Sequence, residues 1–319
     1  MENIKSTMEI KEDIIQSHQR ILPYIHPTPV FTSQIINNIT GAELFFKCEN
    51  FQKMGAFKMR GATNAILQLS DGQKQKGVVT HSSGNFAQAL ALAAKNLGVK
   101  AYIVMPSNAP EVKKRAVEGY GGIITECKPT LEARETMAAH IHQEKGATFV
   151  HPFNDFNVIL GNASAGKELL EKYPELDIII VPVGGGGLIS GVALSAIPFG
   201  NHCKVIGAEP FNVDDAYRSL ESGQIEHNIT TDTIADGLKT SLGDITFNII
   251  NNHVEKIIRV TEEEIVKAMQ LIWERMKIIV EPSSAVTLAA VLKSKTEFVG
   301  KKVALILSGG NVDLKNLPF

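Results

Sequence analysis

The stretch Ile178–Gly200 carries no charged residue. It is long enough to cross a bilayer, yet Pro182 and the run Gly184-Gly185-Gly186-Gly187 break it. Such breaks predict a strand over Ile178–Val183, a glycine turn, and a helix running through Ala196 in a soluble core. A strand without polar residues is one covered on both faces, as in a parallel sheet flanked by helices.

The flanking sequence repeats that pattern. Ala42–Glu49, Gly77–His81, Ala101–Met105, Ile123–Cys127, Thr148–His151, Lys204–Ala208, Lys256–Val260 and Val303–Leu307 read as strands. Between them lie helical segments at about Phe57–Leu69, Ala87–Leu97, Pro110–Glu118, Leu131–Glu144 and Gly166–Tyr173, and another opening at Pro282. Thr261 and Glu264 form a capping box for a helix reaching about Met276. An amphipathic helix is expected over Glu9–Leu22, followed by an extended segment at Pro23, Pro27 and Pro29. Strands alternating with helices predict α/β architecture with largely parallel sheets. No shift in composition marks a boundary, so a second domain is expected as an insertion.

Composition excludes some classes. A formal charge of −2 offers no basic footprint for nucleic acid. Cys48, Cys127 and Cys203 form no Cys-x-x-Cys pair, which suits reduced, packed thiols and a cytoplasmic location. Met1–Arg20 carries Glu2, Glu9, Glu12 and Asp13 and no apolar signal core, so no targeting or membrane segment is expected.

Candidate chemistry begins at Asn50–Ala62. Lys58 lies between Phe57 and Met59, after the Gly55 turn and at a helix start. Apolar company lowers a lysine pKa and makes a usable amine nucleophile. Lysines on a surface also bury their stems, so this alone does not decide. Strand ends in open parallel sheets gather ligands. One such end, Ser82-Ser83-Gly84-Asn85, could present backbone N–H groups to a carboxylate, or simply cap a helix. Gly184–Gly187 could close on a phosphate. A nicotinamide fingerprint there would need glycine or alanine at Ile189 or Ser190, although Glu209 lies near the distance for a ribose acid. A Walker loop is excluded, since no Lys-Ser/Thr follows. Ser308-Gly309-Gly310-Asn311 ends the last strand and could meet a ring edge or make a turn. An amine, a phosphate cup and hydroxyl-bearing strand ends together describe a pyridoxal phosphate site.

In their order along the chain, from Pro27-Thr28-Pro29 to Ser308-Gly309-Gly310-Asn311, these motifs resemble the serine racemase and serine/threonine dehydratase family of fold-type II pyridoxal phosphate enzymes. The resemblance implies a two-domain, tryptophan synthase β-like fold. Residues 1–76 and 154–319 would form a large cofactor-binding domain and residues 77–153 an inserted, substrate-closing one. It implies Lys58 as the lysine bonded to the cofactor, Phe57 beside the ring, and Asn85 on the ring hydroxyl. Gly184, Gly185, Gly186 and Gly187 would hold the phosphate, and Ser308 would face the pyridine nitrogen. Ser83 would be an acid/base opposite the lysine. Ser82, Ser83 and Asn85 would bind the substrate carboxylate, with Arg134 as a closing contact. A divalent cation, Mg²⁺, Mn²⁺ or Ca²⁺, would sit on Glu209, the Val213 carbonyl and Asp215. Read without the family, those acids are a solvated helix start favoured by its dipole.

Two departures from the family pattern stand out. Phe86 replaces a common histidine, and Gly161-Asn162-Ala163-Ser164 replaces Gly-Gln-Gly-Thr in what reads as a loop beside the substrate. Lys58-Met59-Arg60-Gly61-Ala62 follows the dehydratase form rather than the cysteine synthase form. No C-terminal regulatory domain is expected after Asn311. The expected activity is elimination of ammonia from a small hydroxy-amino acid such as L-serine or L-threonine. Serine racemisation and 3-hydroxyaspartate cleavage are the alternatives. A nicotinamide-binding or non-catalytic α/β protein is the alternative of a different class. The family suggests a homodimer.

Overall fold

The computed structural model describes residues 6–319, so Glu2 of the N-terminal reading lies outside the described residues. In chain order the strands are β1 (Val30–Phe31), β2 (Glu43–Cys48), β3 (Val78–His81), β4 (Ala101–Pro106) and β5 (Ile123–Cys127). They continue as β6 (Thr148–Phe149), β7 (Ile178–Pro182), β8 (Lys204–Pro210), β9 (Lys256–Val260) and β10 (Lys302–Leu307). A six-stranded sheet has the order β1-β2-β10-β7-β8-β9, and a four-stranded sheet the order β5-β4-β3-β6. Every pairing is parallel except β1 with β2.

β7 lies between β10 and β8, as its uncharged sequence requires. Its side chains alternate between two cores. Ile178 and Ile180 join Leu44, Phe46, Val303 and Leu305 on one face. Ile179 and Val181 join Phe45, Val205, Ala304 and Ile306 on the other. Each such buried aliphatic side chain contributes about 1.5–3 kcal/mol from removal of its surface from water.

The helix Lys58–Leu67 belongs by sequence to the segment before the small sheet. Its Met59, Ala62 and Ile66 nevertheless pack with Val78, Leu90 and Ile103 in one cluster. The Thr261–Glu264 capping box is present and opens the helix Glu262–Met276. The helix expected at Gly166–Tyr173 is much longer, Phe156–Lys172, and contains Gly161-Asn162-Ala163-Ser164. Those residues are buried in a helix, so their reading as a loop beside the substrate is corrected. Turn-forming residue types are tolerated here because their small size lets neighbouring helices approach closely. Among the described residues, no helix is long and apolar enough to cross a membrane.

Candidate active site

The segment that leaves β10 meets the turn that leads into the lysine. β10 ends at Leu307, and the Ser308 carbonyl accepts from the Phe57 N–H at 3.0 Å. Ala56 and Gly309 form an antiparallel bridge. The turn entering this bridge holds Met54 in the left-handed region, φ 57°, a conformation that needs support from its surroundings. Asn311 Nδ2 supplies part of that support, donating to the Met54 carbonyl at 3.0 Å.

Lys58 opens its helix directly after this turn. Its Nζ donates to the Pro152 carbonyl at 2.9 Å. The Phe57 and Phe86 ring centroids lie 5.0 and 5.6 Å from the same nitrogen. Burial pushes the amine down to about 8, with Glu281 pulling partly the other way. Phe86 lies just past the Ser82–Asn85 segment. It sits in the first turn of the helix Asn85–Asn96, 2 % exposed, against the lysine amine.

Asn85 is held on both sides. Its Nδ2 donates to the two Glu281 carboxylate oxygens at 3.0 and 3.1 Å, and its Oδ1 accepts from Asn311 Nδ2 at 2.9 Å. Glu281 also accepts from the Asn311 N–H at 3.1 Å. Burial, then the nearby Asp236 charge, push Glu281 up to about 7. Sequence reasoning passed over this glutamate. Its one signal was position: Glu281 precedes Pro282 at the N-cap of the helix Pro282–Lys293, where its side chain makes no capping bond. A good N-cap residue type is absent because the carboxylate is directed elsewhere.

The glycine run follows β7. Gly186 has φ 85° and caps the helix Gly187–Phe199, whose first N–H groups lack intrahelical acceptors. A Cβ on Gly185 would lie 2.4 Å from the Phe153 ring, so the run also admits close packing. Amides at a helix start, with no side chain among them, suit a phosphate. Ser308 is 3 % exposed, with its hydroxyl 3.2 Å from that of Ser284. Ser284 Oγ also accepts from the Gly309 N–H at 2.7 Å.

At the end of β3, the Ser82 N–H donates to the Val104 carbonyl at 3.1 Å, and Ser82 Oγ accepts from the Gly84 N–H at 3.3 Å. Ser83 stands between this turn and the Asn85 helix. Arg134 lies on the helix Leu131–Lys145, where its Nε donates to the Thr130 carbonyl at 3.4 Å. Burial first, and then the Arg134 charge, lower the pKa of His81, next to Ser82.

Glu209 and Asp215 are fully buried, which removes the reading of a solvated helix start. Glu209 accepts from the Ala216 and Tyr217 N–H groups at 3.2 and 3.0 Å. Asp215 Oδ2 accepts from the Leu242 N–H at 2.9 Å, while its buried Oδ1 has no partner. Burial and the Asp215 charge push Glu209 well above the ordinary range, and burial pushes Asp215 up to about 7. Val213 is fully buried at the end of the turn Phe211–Val213. Among the described residues, no group of three or more His, Cys, Asp or Glu side chains could hold a metal ion. The expected set has two carboxylates and a carbonyl. An orphaned buried carboxylate oxygen beside a second carboxylate fits a hard cation.

Comparison with known proteins gives a consistent result. The profile of the family described as pyridoxal-phosphate dependent enzyme matches residues 21–309. A beta-hydroxyaspartate dehydratase from Paracoccus denitrificans is 50% identical over 308 residues, covering 97% of this chain and 98% of its own. The crystal structure of serine racemase from Dictyostelium discoideum superposes with a TM-score of 0.91 at 53% identity, covering 95% of this chain and 98% of that one. A threonine deaminase isoform from Solanum lycopersicum gives a TM-score of 0.92 at 30% identity, covering 97% and 90%.

Proposed function

Because the chain belongs to the pyridoxal-phosphate dependent enzyme family, we propose that it eliminates water and then ammonia from a small 3-hydroxy amino acid, L-serine or L-threonine, leaving a 2-oxo acid. The carrying observation is the half-buried Lys58, whose amine lies 5.0 and 5.6 Å from the Phe57 and Phe86 ring centroids with its pKa lowered to about 8.

Bound here, pyridoxal phosphate would supply an aldehyde for the substrate amine and a ring that draws electrons from the Cα–H bond. Gly184–Gly187 would hold its phosphate and Asn85 its ring hydroxyl, with Phe57 beside the ring. Lys58, once free, takes the Cα proton in its neutral form. The electron pair of that bond becomes the Cα–Cβ double bond as the Cβ–O bond breaks, the proton held by Lys58 passes to the departing hydroxyl so that it leaves as water, and a water molecule then hydrolyses the released enamine to the 2-oxo acid and ammonia. Ser308, a neutral hydroxyl already beside Ser284, does not enforce a proton on the ring nitrogen. That limits charge storage in the ring and favours prompt loss of the β-hydroxyl. Ser82, Ser83 and Asn85 would take the substrate carboxylate at the end of β3. The four-stranded sheet, within residues 77–153, is the unit we assign to closing over substrate, with Arg134 as its contact.

Racemisation is a second reading, supported by the Ser83 position and the likeness to the Dictyostelium enzyme. It shares proton removal by Lys58 and returns a proton from Ser83 on the other face. A 3-hydroxyaspartate substrate is a third, supported by the Paracoccus relative. L- and D-serine, L-threonine and 3-hydroxyaspartate, each scored for ammonia and for inversion, decide among them. Ser83→Ala is expected to lower inversion by roughly 10²-fold or more while elimination falls far less. Equal loss of both would remove the two-base reading, and inertness toward the whole panel would remove the proposal.

A cation on Glu209, Asp215 and the Val213 carbonyl would relieve the repulsion between two buried carboxylates. At a hundredfold excess over its dissociation constant, Mg²⁺ should stabilise the folded protein by about 2.7 kcal/mol. Asp215→Ala should abolish that gain in a thermal melt; a gain that survives refutes the assignment. A homodimer in the cytoplasm completes the reading, and sedimentation tests the dimer.

A further inference from the structure

The helix Phe156–Lys172 touches both halves of the site. On the lysine side it meets Arg60, two residues beyond Lys58 and fully buried. Arg60 donates from Nε and Nη2 to Glu49 at 2.7 and 2.9 Å, and from Nη1 and Nη2 to Glu168 at 2.7 and 2.8 Å. Nη1 also donates to Ser164 Oγ at 2.9 Å. Lys47 donates to Glu168 at 2.6 Å, and His18 Nε2 lies 3.2 Å from it. The backbones themselves touch, since a Cβ on Gly161 would lie 2.5 Å from the Arg60 carbonyl oxygen.

On the cup side, Asn162 Nδ2 donates to the Gly187 carbonyl at 3.2 Å, and Asn162 Oδ1 is buried without a partner. Gly191 of the cup helix packs equally close, because a Cβ there would lie 2.7 Å from the Ala163 nitrogen. One helix therefore grips the lysine helix through Ser164 and Glu168 and the cup helix through Asn162.

A buried ion set of this kind adds little net stability over apolar packing of the same volume. What a bidentate guanidinium adds is direction, because its planar fork fixes the rotation of the helix that carries it. An orphaned amide oxygen likewise costs stability without improving the core. Both features are explained by geometry rather than by cohesion.

We propose that Arg60 and Asn162 are positioning residues which, through the helix Phe156–Lys172, fix the span between the Lys58 amine and the Gly184–Gly187 cup. A cofactor anchored by its phosphate then meets the amine in register. This rests on the cofactor reading given under the proposed function, and it moves Asn162 from substrate choice to cofactor seating.

The test uses the full chain loaded with pyridoxal phosphate, as wild type, Asn162→Ala, Arg60→Lys and Ile265→Ala. Ile265 is fully buried on the outer helix Glu262–Met276 and serves as a cavity control. For Asn162→Ala and Arg60→Lys, kcat should fall roughly 10–100-fold with KM nearly unchanged, as for a misplaced reacting group. The visible circular dichroism band of the bound cofactor should lose amplitude in the same variants. Ile265→Ala should lower the thermal midpoint and leave both readouts at wild type. Wild-type band and kcat in both positioning variants would overturn the inference, as would the same changes in Ile265→Ala at equal thermal loss. A loaded, active wild type matched by the variants removes the positioning role alone, whereas a wild type that takes up no cofactor removes the cofactor reading with it.

Discussion

Lys58→Ala is expected to lower turnover by at least about 10⁴-fold, because one residue supplies both the covalent anchor and the base. Borohydride should add cofactor mass to the wild type on the Lys58 peptide and add none to the variant. The pH dependence follows from the direction of the shift. Burial lowers this amine to about 8, and the reacting form is the neutral one. Cofactor uptake by the apoprotein should therefore rise with pH up to about 8 and level off above it. Activity in Lys58→Ala within tenfold of wild type, or uptake that falls as pH rises, would remove the lysine from its place.

Arg60→Met is expected to destabilise the protein by about 3–5 kcal/mol, since it removes the guanidinium shared by buried Glu49 and part-buried Glu168 and leaves Lys47 alone to face both carboxylates. That is a large fraction of the about 5–15 kcal/mol that holds a domain folded. Denaturant midpoints read the loss directly. For Glu168, burial alone would raise the pKa. The His18 hydrogen bond and the charges of Arg60 and Lys47 outweigh it and hold the carboxyl well below the usual range. A carboxylate lowered on folding stabilises above its unfolded pKa, and that contribution is lost as pH falls through the folded value. Losing Arg60 raises the folded value, so the variant should unfold at a higher pH on the acid side than wild type. A variant within about 1 kcal/mol of wild type would mean the carboxylates find other partners or protonate cheaply.

Much of this arrangement was legible from sequence because local signals agreed with tertiary demands. Ile178–Val183 could be read as a doubly covered strand because nothing polar interrupts it. Thr261 and Glu264 announced their helix because capping uses only neighbours in sequence. Lys58 and the Gly184–Gly187 run stood out as candidates because the chemistry proposed for them restricts residue types at strand ends. Other elements were not legible. Gln34–Thr40 has three isoleucines but only seven residues, too few to establish a period, and Asp71–Lys76 is a short polar helix, although Ser70 and Gln73 form a capping box. Asp244–His253 buries only Thr246 and Ile250, too few positions to mark a period. Gly161–Ser164 misled because residue types that favour turns were chosen here for smallness. Glu281 was invisible because its partners, Asn85 and Asn311, come from distant parts of the chain.

The helix that carries Lys58 has a further consequence. Its entrance is stitched to the end of β10 by the Phe57 and Ala56 bonds. Its apolar ridge, Met59, Ala62 and Ile66, is sunk into the cluster under the four-stranded sheet. The boundary expected at residue 77 does not divide this core, since Met59, Ala62 and Ile66 cluster with Val78, Leu90 and Ile103. Lys58 thus opens a helix tied at its entrance to the end of β10 and along its ridge to the cluster under the four-stranded sheet. Under the proposed closure of residues 77–153, alignment of the proposed base would move with that sheet, and exchanging the smaller sheet for another would have to carry the lysine helix with it.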